Sequence, residues 1–289
     1  MAPLPLLCAL TLAACSSAPE PAPAAPPTRE DSYEATLTRV LEAVVTPDGL
    51  VRYDVLATTY RPAFDSVLMA VETMDPARLT TDAEKLAFFL NAYNVRMLKH
   101  LLDAPAVTHL ERDNRFDAFF KTPVRVARHD LTLNQLENGV LRRQDEVDGA
   151  PLPEALRAWR PGRLDPRLHV GLNCAAVSCP PLRRRAFTAE NVDEELDAAL
   201  REFVAGERFA GREGRELRLS SLLDWFGADF ETGGQPLGDF FLAMMPADRS
   251  DAAALSTLLA GKTAAQLRAA VADDPNVAFH YDWTVNRAD

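Results

Sequence analysis

Two cysteines stand near the middle of the chain, in the run Asp165-Pro166-Arg167-Leu168-His169-Val170-Gly171-Leu172-Asn173-Cys174-Ala175-Ala176-Val177-Ser178-Cys179-Pro180-Pro181-Leu182-Arg183. His169 precedes them, and Arg183, Arg184 and Arg185 follow. A thiol attacks as its thiolate, and nearby positive charge raises the thiolate fraction. An imidazole within reach can take the thiol proton and relay it to a leaving group. These residue types therefore point to a thiol-dependent hydrolase or transferase. Cys179, in a loop close to the arginines, is the better-placed sulfur, and His169 is the nearest base in sequence.

The elements expected around this segment complicate that pairing. The stretch from Arg167 to Asn173 reads as a buried strand, in which alternate residues share a face. Leu168, Val170, Leu172 and Cys174 then fall on one side, with His169 and Asn173 on the other. Cys174 would be a core residue, a common state for a free cysteine, unless a bulge at Ala175 or earlier breaks the alternation. In an oxidising compartment Cys174 and Cys179 could instead close a disulfide, which would make the chain a non-catalytic binding or scaffold module. Thiol redox exchange is a weaker alternative, because C-x4-C is not the C-x-x-C of thioredoxin-like sites. No metal site is expected, since Cys174, Cys179 and His169 lack a fourth ligand and a recognised zinc spacing. No cofactor is expected.

Residues 85–102 form the strongest helix in the sequence, apolar on nearly every side and so central and buried. Lys85, Arg96 and Lys99 share its one solvent-facing stripe, while Asn91 and Asn94 lie roughly 140° away and point inward. A buried amide left without partners costs about 1–3 kcal/mol, so this pair either ties the helix to a neighbouring loop or lines a site. Thr132-Leu133-Asn134-Gln135 is a capping box that opens a helix to about Arg143 and carries Glu137. Val124 to Ala127 alternates into a hairpin turn at Arg128-His129-Asp130. A loop from Gly149 to Pro166 holds one helical turn near Leu156. Further helices are read at 32–45, 60–73, from Thr188 to Gly206, and as short pieces over 221–226, 237–245, 252–259 and 264–271. At the tail Val277, Phe279, Tyr281, Trp283 and Val285 alternate with polar residues, which reads as a strand with those five facing the core. His280 and Asp282 then sit side by side on the other face, where the carboxylate could orient the imidazole as an alternative base. The fold class is α+β: a mostly helical single domain over 31–289 with a small sheet.

The N-terminal part has a different character. Leu4 to Ala14 is almost wholly apolar, too short to span a membrane and suited to the core of a secretory signal. It ends in Leu12-Ala13-Ala14-Cys15, similar to the bacterial lipoprotein signal in which Cys15 is acylated and becomes the mature N-terminus. Residues 16–30 are rich in proline and alanine and read as an extended tether. The expected location is the cell envelope, lipid-anchored and facing the periplasm, with the outer membrane favoured by Ser16. The formal net charge of −11 does not suit a nucleic-acid partner. The expected partners are the membrane, through the anchor, and a small-molecule or peptide ligand.

With these pieces placed, the chain resembles the family called domain of unknown function 547. The resemblance rests on Gly49 to Tyr53, Lys85 to Asn94, Leu131 to Arg142, the Cys174–Cys179 segment, Leu219 to Phe226 and Tyr281 to Asn286. It runs from about Tyr33 to Asn286. Members often have histidine where this chain has Asn138. The family implies a topology for the whole mature domain but no agreed activity.

Overall fold

Apolar residues at helical spacing and well-formed caps account for most of the architecture. The computed structural model describes residues 32–113 and 115–288; the segments expected to be signal and tether, with Cys15, lie outside the described residues. Helix α1 (Tyr33–Val44) starts where Ser32 accepts the Ala35 N–H and buries Leu37, Val40, Leu41 and Val44. It is followed by α2 (Tyr53–Ala57), α3 (Arg61–Thr73) and α4 (Asp82–Asp103). Thr81 and Glu84 close a capping box on α4, a device of about 1 kcal/mol. Helix α4 runs through the first core, buried without a break from Ala87 to Leu98.

Helix α5 (Arg115–Lys121) leads into a hairpin of β1 (Val124–Val126) and β2 (His129–Leu131). Its two turn residues, Ala127 and Arg128, both have positive φ, at 47° and 66°. That is the handedness a two-residue hairpin favours, and it puts the turn one residue earlier than the sequence reading. Next comes the expected capping box, with reciprocal bonds between Thr132 and Gln135. The helix it opens is not α-helical, because Gln135–Leu141 forms a π-helical turn. A two-residue hairpin of β3 (Glu146–Val147) and β4 (Ala150–Pro151) precedes α6 (Glu154–Arg157).

The segment read as a strand from Arg167 is instead a single helical turn, α7 (Leu168–Gly171). Asp165 accepts the Arg167 N–H and guanidinium at 3.0 Å, which turns the chain at its start. A short apolar run is consistent with either state, and periodicity alone does not separate them.

The second core forms around α8 (Val192–Ala205), β5 (Ala210–Glu213), β6 (Glu216–Ser220), α9 (Leu222–Phe226), a 3₁₀ turn at Gly227–Glu231, α10 (Leu237–Leu242), α11 (Ala252–Leu259), α12 (Ala264–Asp273) and β7 (Val277–His280). β6 pairs antiparallel with β5 and parallel with β7, with Leu217 opposite Val277 and Leu219 opposite Phe279. Phe203, Phe209, Phe230 and Phe241 fill the interior. The chain is thus an α+β domain with helices dominating a small sheet.

Two details differ from the sequence reading. Arg96 is buried rather than solvent-facing, held by Glu72 at 2.8 Å and by the Arg125 carbonyl. The tail strand ends at His280, and the rest crosses to the first core through isolated bridges of Thr284 to His109, Val285 to Ala176 and Arg287 to Val51. This crossing buries Asn286 on the side expected to face water.

Candidate active site

The loop that carries the cysteines is built by amides. Asn94 on α4 donates to the Gly171 carbonyl at 2.9 Å and accepts the Asn173 N–H at 2.8 Å, fixing the chain as it leaves α7. Asn173 extends the clip, donating to the Pro180 carbonyl at 2.9 Å and accepting from Ala175 N–H at 3.0 Å. Its oxygen also accepts from Asn286, whose own oxygen accepts from the Tyr53 hydroxyl at 2.8 Å. Every member is buried, and such networks hold a loop firmly because any unmade bond leaves a polar group dry. The loop holds Ala175 at φ +66°. That left-handed conformation costs a residue with a Cβ roughly 1–2 kcal/mol, and strain of this kind gathers at functional sites. The turn brings the Ala176 N–H back onto the Cys174 sulfur.

Cys174 and Cys179 are free thiols, not a disulfide. The Cys174 N–H donates to the Cys179 sulfur at 3.0 Å, and Cys179 Sγ lies 3.7 Å from the Leu172 carbonyl. Cys174 Sγ lies 2.9 Å from the Tyr281 hydroxyl. The Cys179 thiol beside it, the Tyr281 hydroxyl and the Ala176 N–H pull the Cys174 thiol below its ordinary range, against burial. Burial pushes the Cys179 thiol far up, and its neighbour adds to this. The electrostatic preference for Cys179 is therefore reversed. The arginines meant to activate it are engaged elsewhere: Arg183 with Glu195 and Glu202, Arg185 with Glu195, and Arg184 with the Glu42 carbonyl. Cys174 is buried in the first core, as its expected place there implies, but it also borders a cavity of about 320 Å³.

His169 lines the same cavity. Because α7 is helical, the alternation that would turn it away from Cys174 does not apply. Its Nε2 bonds Asp229 Oδ2 at 2.7 Å, and its ring stacks on Phe226 at 4.1 Å. Asp229, in the Gly227–Glu231 turn, also receives a two-pronged bond from Arg142 at 2.6 and 3.1 Å. Burial raises the Asp229 carboxyl, but the bonds from His169 and Arg142 outweigh it and hold it at about 2. An ionised Asp229 fixes the imidazole proton on Nε2. Burial lowers the His169 pKa despite that partner, leaving the ring neutral.

The π-helical turn supplies Glu137 and Asn138 to the cavity lining. The Arg142 N–H reaches back to the Glu137 carbonyl, five residues away, at 2.8 Å. This widened turn, a form common at functional sites, lets Glu137 face the cavity while Arg142 faces Asp229. Burial raises the Glu137 carboxyl from 4.5 to about 7, partly opposed by a hydrogen bond from Tyr93 and by the Arg142 charge. Arg142 also lies 4.9 Å over the Phe226 ring.

Of the residues singled out in the sequence, Cys174, Cys179, His169 and Glu137 meet in one cavity. Asn94 supports the loop from behind. Asn91 clips Phe187 instead, donating to its carbonyl at 2.7 Å and accepting its N–H at 3.0 Å. His280 is exposed in a separate polar cleft with Arg208 and Arg218. Asp282 accepts from Thr284 N–H at 2.9 Å, and its own N–H donates to Ser178. The two do not form an imidazole–carboxylate pair, because β7 ends between them. Among the described residues no group of three or more His, Cys, Asp or Glu side chains is placed to hold a metal. Sequence reasoning missed Asp229, Arg142, Tyr93 and Tyr281. Asp229 stands 60 positions from His169 and 87 from Arg142, so no local spacing could signal it.

A thiol, an imidazole and a protonatable carboxyl line a largely apolar cavity, and Asp229 holds the imidazole from outside it, an arrangement suited to carbonyl chemistry. Residues 76–204 match the model of the family described as "Protein of unknown function, DUF547", in line with the resemblance read from the sequence. The matched stretch includes α4, the π-helical turn and the cysteine loop. No curated protein and no solved structure matches the chain.

Proposed function

We propose that the protein is a thiol-dependent hydrolase or transferase acting at a carbonyl, with Cys174 as nucleophile and His169 as base. The observation that carries this reading is that Cys174 and His169 line one cavity, with Asp229 bonded to the imidazole from outside it. Tyr281, the Cys179 thiol and the Ala176 N–H stabilise the thiolate. Asp229 is a positioning residue that holds the imidazole tautomer. Glu137, titrating near neutrality, is a second proton carrier in the cavity, at a pKa suited to general acid–base work. Cys179 is a supporting donor. The test is incubation with p-nitrophenyl acetate, a minimal activated ester. An acetyl group on Cys174 and turnover lost in Cys174→Ser are expected. Turnover retained in that variant, or acylation at other residues only, contradicts the reading.

We further propose that the domain is held at the periplasmic side of the envelope, on the outer membrane, by acylation of Cys15, with residues 16–30 as tether. The short apolar run ending in Leu12-Ala13-Ala14-Cys15 supports this. Cys15→Ser is expected to move the protein from the membrane to the soluble fraction, and unchanged partitioning contradicts it. Among the described residues no helix is long and apolar enough to cross a membrane.

A further inference from the structure

The remaining walls of the cavity bear on what the thiol acts upon. One side is aromatic: Phe116 stacks on Phe120 at 5.2 Å and meets Trp283 edge-on at 4.8 Å, while Trp225 lies 5.7 Å from Trp283. Among the described residues no lysine or arginine lines the space. Arg142, which lies over the Phe226 ring, is taken up by Asp229, and Arg208, whose charge reaches Cys179 and Tyr281, is bonded to the Val177 and Asp48 carbonyls. A carboxylate, phosphate or sulfate inside would therefore be dehydrated without a counter-charge, at a high cost. Trp225 adds an independent observation. It is 43% exposed, and with Met69 it makes up the exposed large hydrophobics among the described residues. Trp225 thus carries the aromatic lining of the cavity out to solvent.

Resting on the thiol reading of Cys174, we propose that the substrate is an ester or thioester of an uncharged, medium-length apolar acyl chain, which lies along Phe116, Phe120, Trp225 and Trp283 with its carbonyl at Cys174. At roughly 30 Å³ for a group the size of a water or a methylene, a space of about 320 Å³ holds a chain of about ten carbons. A peptide is a poorer match, since its backbone N–H and C=O groups would need partners that aromatic rings do not give. In the reaction the Cys174 proton passes to His169 and sulfur bonds the acyl carbon. The bond from that carbon to the leaving oxygen or sulfur breaks, and His169 returns the proton to the leaving group. Water or an acceptor alcohol then attacks the acyl-Cys174 while His169 takes its proton. The carbon–sulfur bond breaks, and the proton returns to Cys174.

The test compares p-nitrophenyl acetate with p-nitrophenyl octanoate, following the acyl adduct on Cys174 and kcat/KM in the full chain. Methyl octanoate serves separately as a non-activated binding probe, read by tryptophan fluorescence. Octanoate is expected to be preferred about tenfold or more, with the preference reduced in Trp225→Ala, and methyl octanoate is expected to quench the fluorescence saturably. Acylation of Cys174 that is as fast with acetate overturns the chain-length inference and leaves the thiol reading standing. Absence of saturable quenching by methyl octanoate overturns the inference whatever the chemistry. Saturable quenching without acylation of Cys174 by either ester removes the thiol reading, and with it the proposed ester substrate. Faster cleavage of N-acetyl-phenylalanine p-nitroanilide than of the octanoate ester also overturns it, in favour of a peptide.

Discussion

Glu137→Gln gives the sharpest stability test of the cavity's electrostatics. In the folded chain Glu137 titrates at about 7 rather than the ordinary 4.5, because burial disfavours its charged form. Between those values the native state holds a proton that the unfolded chain has released. The resulting stability is fully present below pH 4.5 and is lost as pH rises through 7. The shift of about 2.5 units corresponds to about 3 kcal/mol at 1.36 kcal/mol per unit. Glutamine does not titrate and can still accept from Tyr93. The stability of Glu137→Gln relative to wild type should therefore rise by about 3 kcal/mol between pH 4.5 and pH 8. Urea denaturation of both proteins across this range, at matched ionic strength, measures the difference directly, and all other groups cancel. A difference that does not change with pH would refute the reasoning, because it would mean that Glu137 stays ionised in the fold at no cost. A difference that changes in the opposite direction would show that a nearby positive charge, not burial, governs the carboxyl.

The other predictions follow from single contacts. Asn94→Ala strips partners from the Gly171 carbonyl and the Asn173 N–H; a loss of about 2–4 kcal/mol is expected in urea, with slower acylation of Cys174, and an unchanged loop reactivity would contradict the clip. Asp229→Asn breaks the pairing with Arg142 and frees the His169 tautomer; a loss of about 3 kcal/mol and a displaced pH profile for acylation are expected. Because Asp229 is held below its ordinary pKa, its contribution is present above the ordinary carboxylate range and is lost as pH falls towards 2. The gap between wild type and Asp229→Asn should narrow over that interval, which acid titration of circular dichroism checks. Gly49→Ala places a Cβ 2.6 Å from Pro181 Cβ at φ +82°; a loss of about 1–3 kcal/mol is expected, and a neutral effect would show that the cysteine loop gives way there.

Much of this architecture is legible in the sequence because the signals are local. Helix α4 follows from its length and apolar character, the Thr132–Gln135 cap from spacing, and the α8 face from Leu196, Leu200 and Phe203. Convergence of Glu137, His169 and the cysteines could only be posed as a question. Three readings failed for physical reasons. Leu168, Val170 and Leu172 fit a strand or a helical turn equally, and the turn is set by Asp165 accepting the Arg167 N–H. The Arg183–Arg185 run is close to Cys179 in sequence, but Glu195 and Glu202 on α8 draw Arg183 and Arg185 away. Arg96 falls on the polar stripe of α4 yet is buried, because the Arg125 carbonyl and Glu72 supply its partners. Asp229, which fixes the catalytic imidazole in the proposed mechanism, belongs to the second core and leaves no mark near His169.

In the proposed function Cys174, rather than Cys179, is the primed sulfur. Alkylation of the native protein by iodoacetamide from pH 5 to 10, with each cysteine peptide followed by mass spectrometry, tests it most directly. Cys174 is expected to be modified first, with a midpoint below that of an ordinary thiol, and more slowly in Tyr281→Phe, while Cys179 stays unmodified until unfolding. Faster modification of Cys179, or a pair that resists alkylation until reduced, would contradict it.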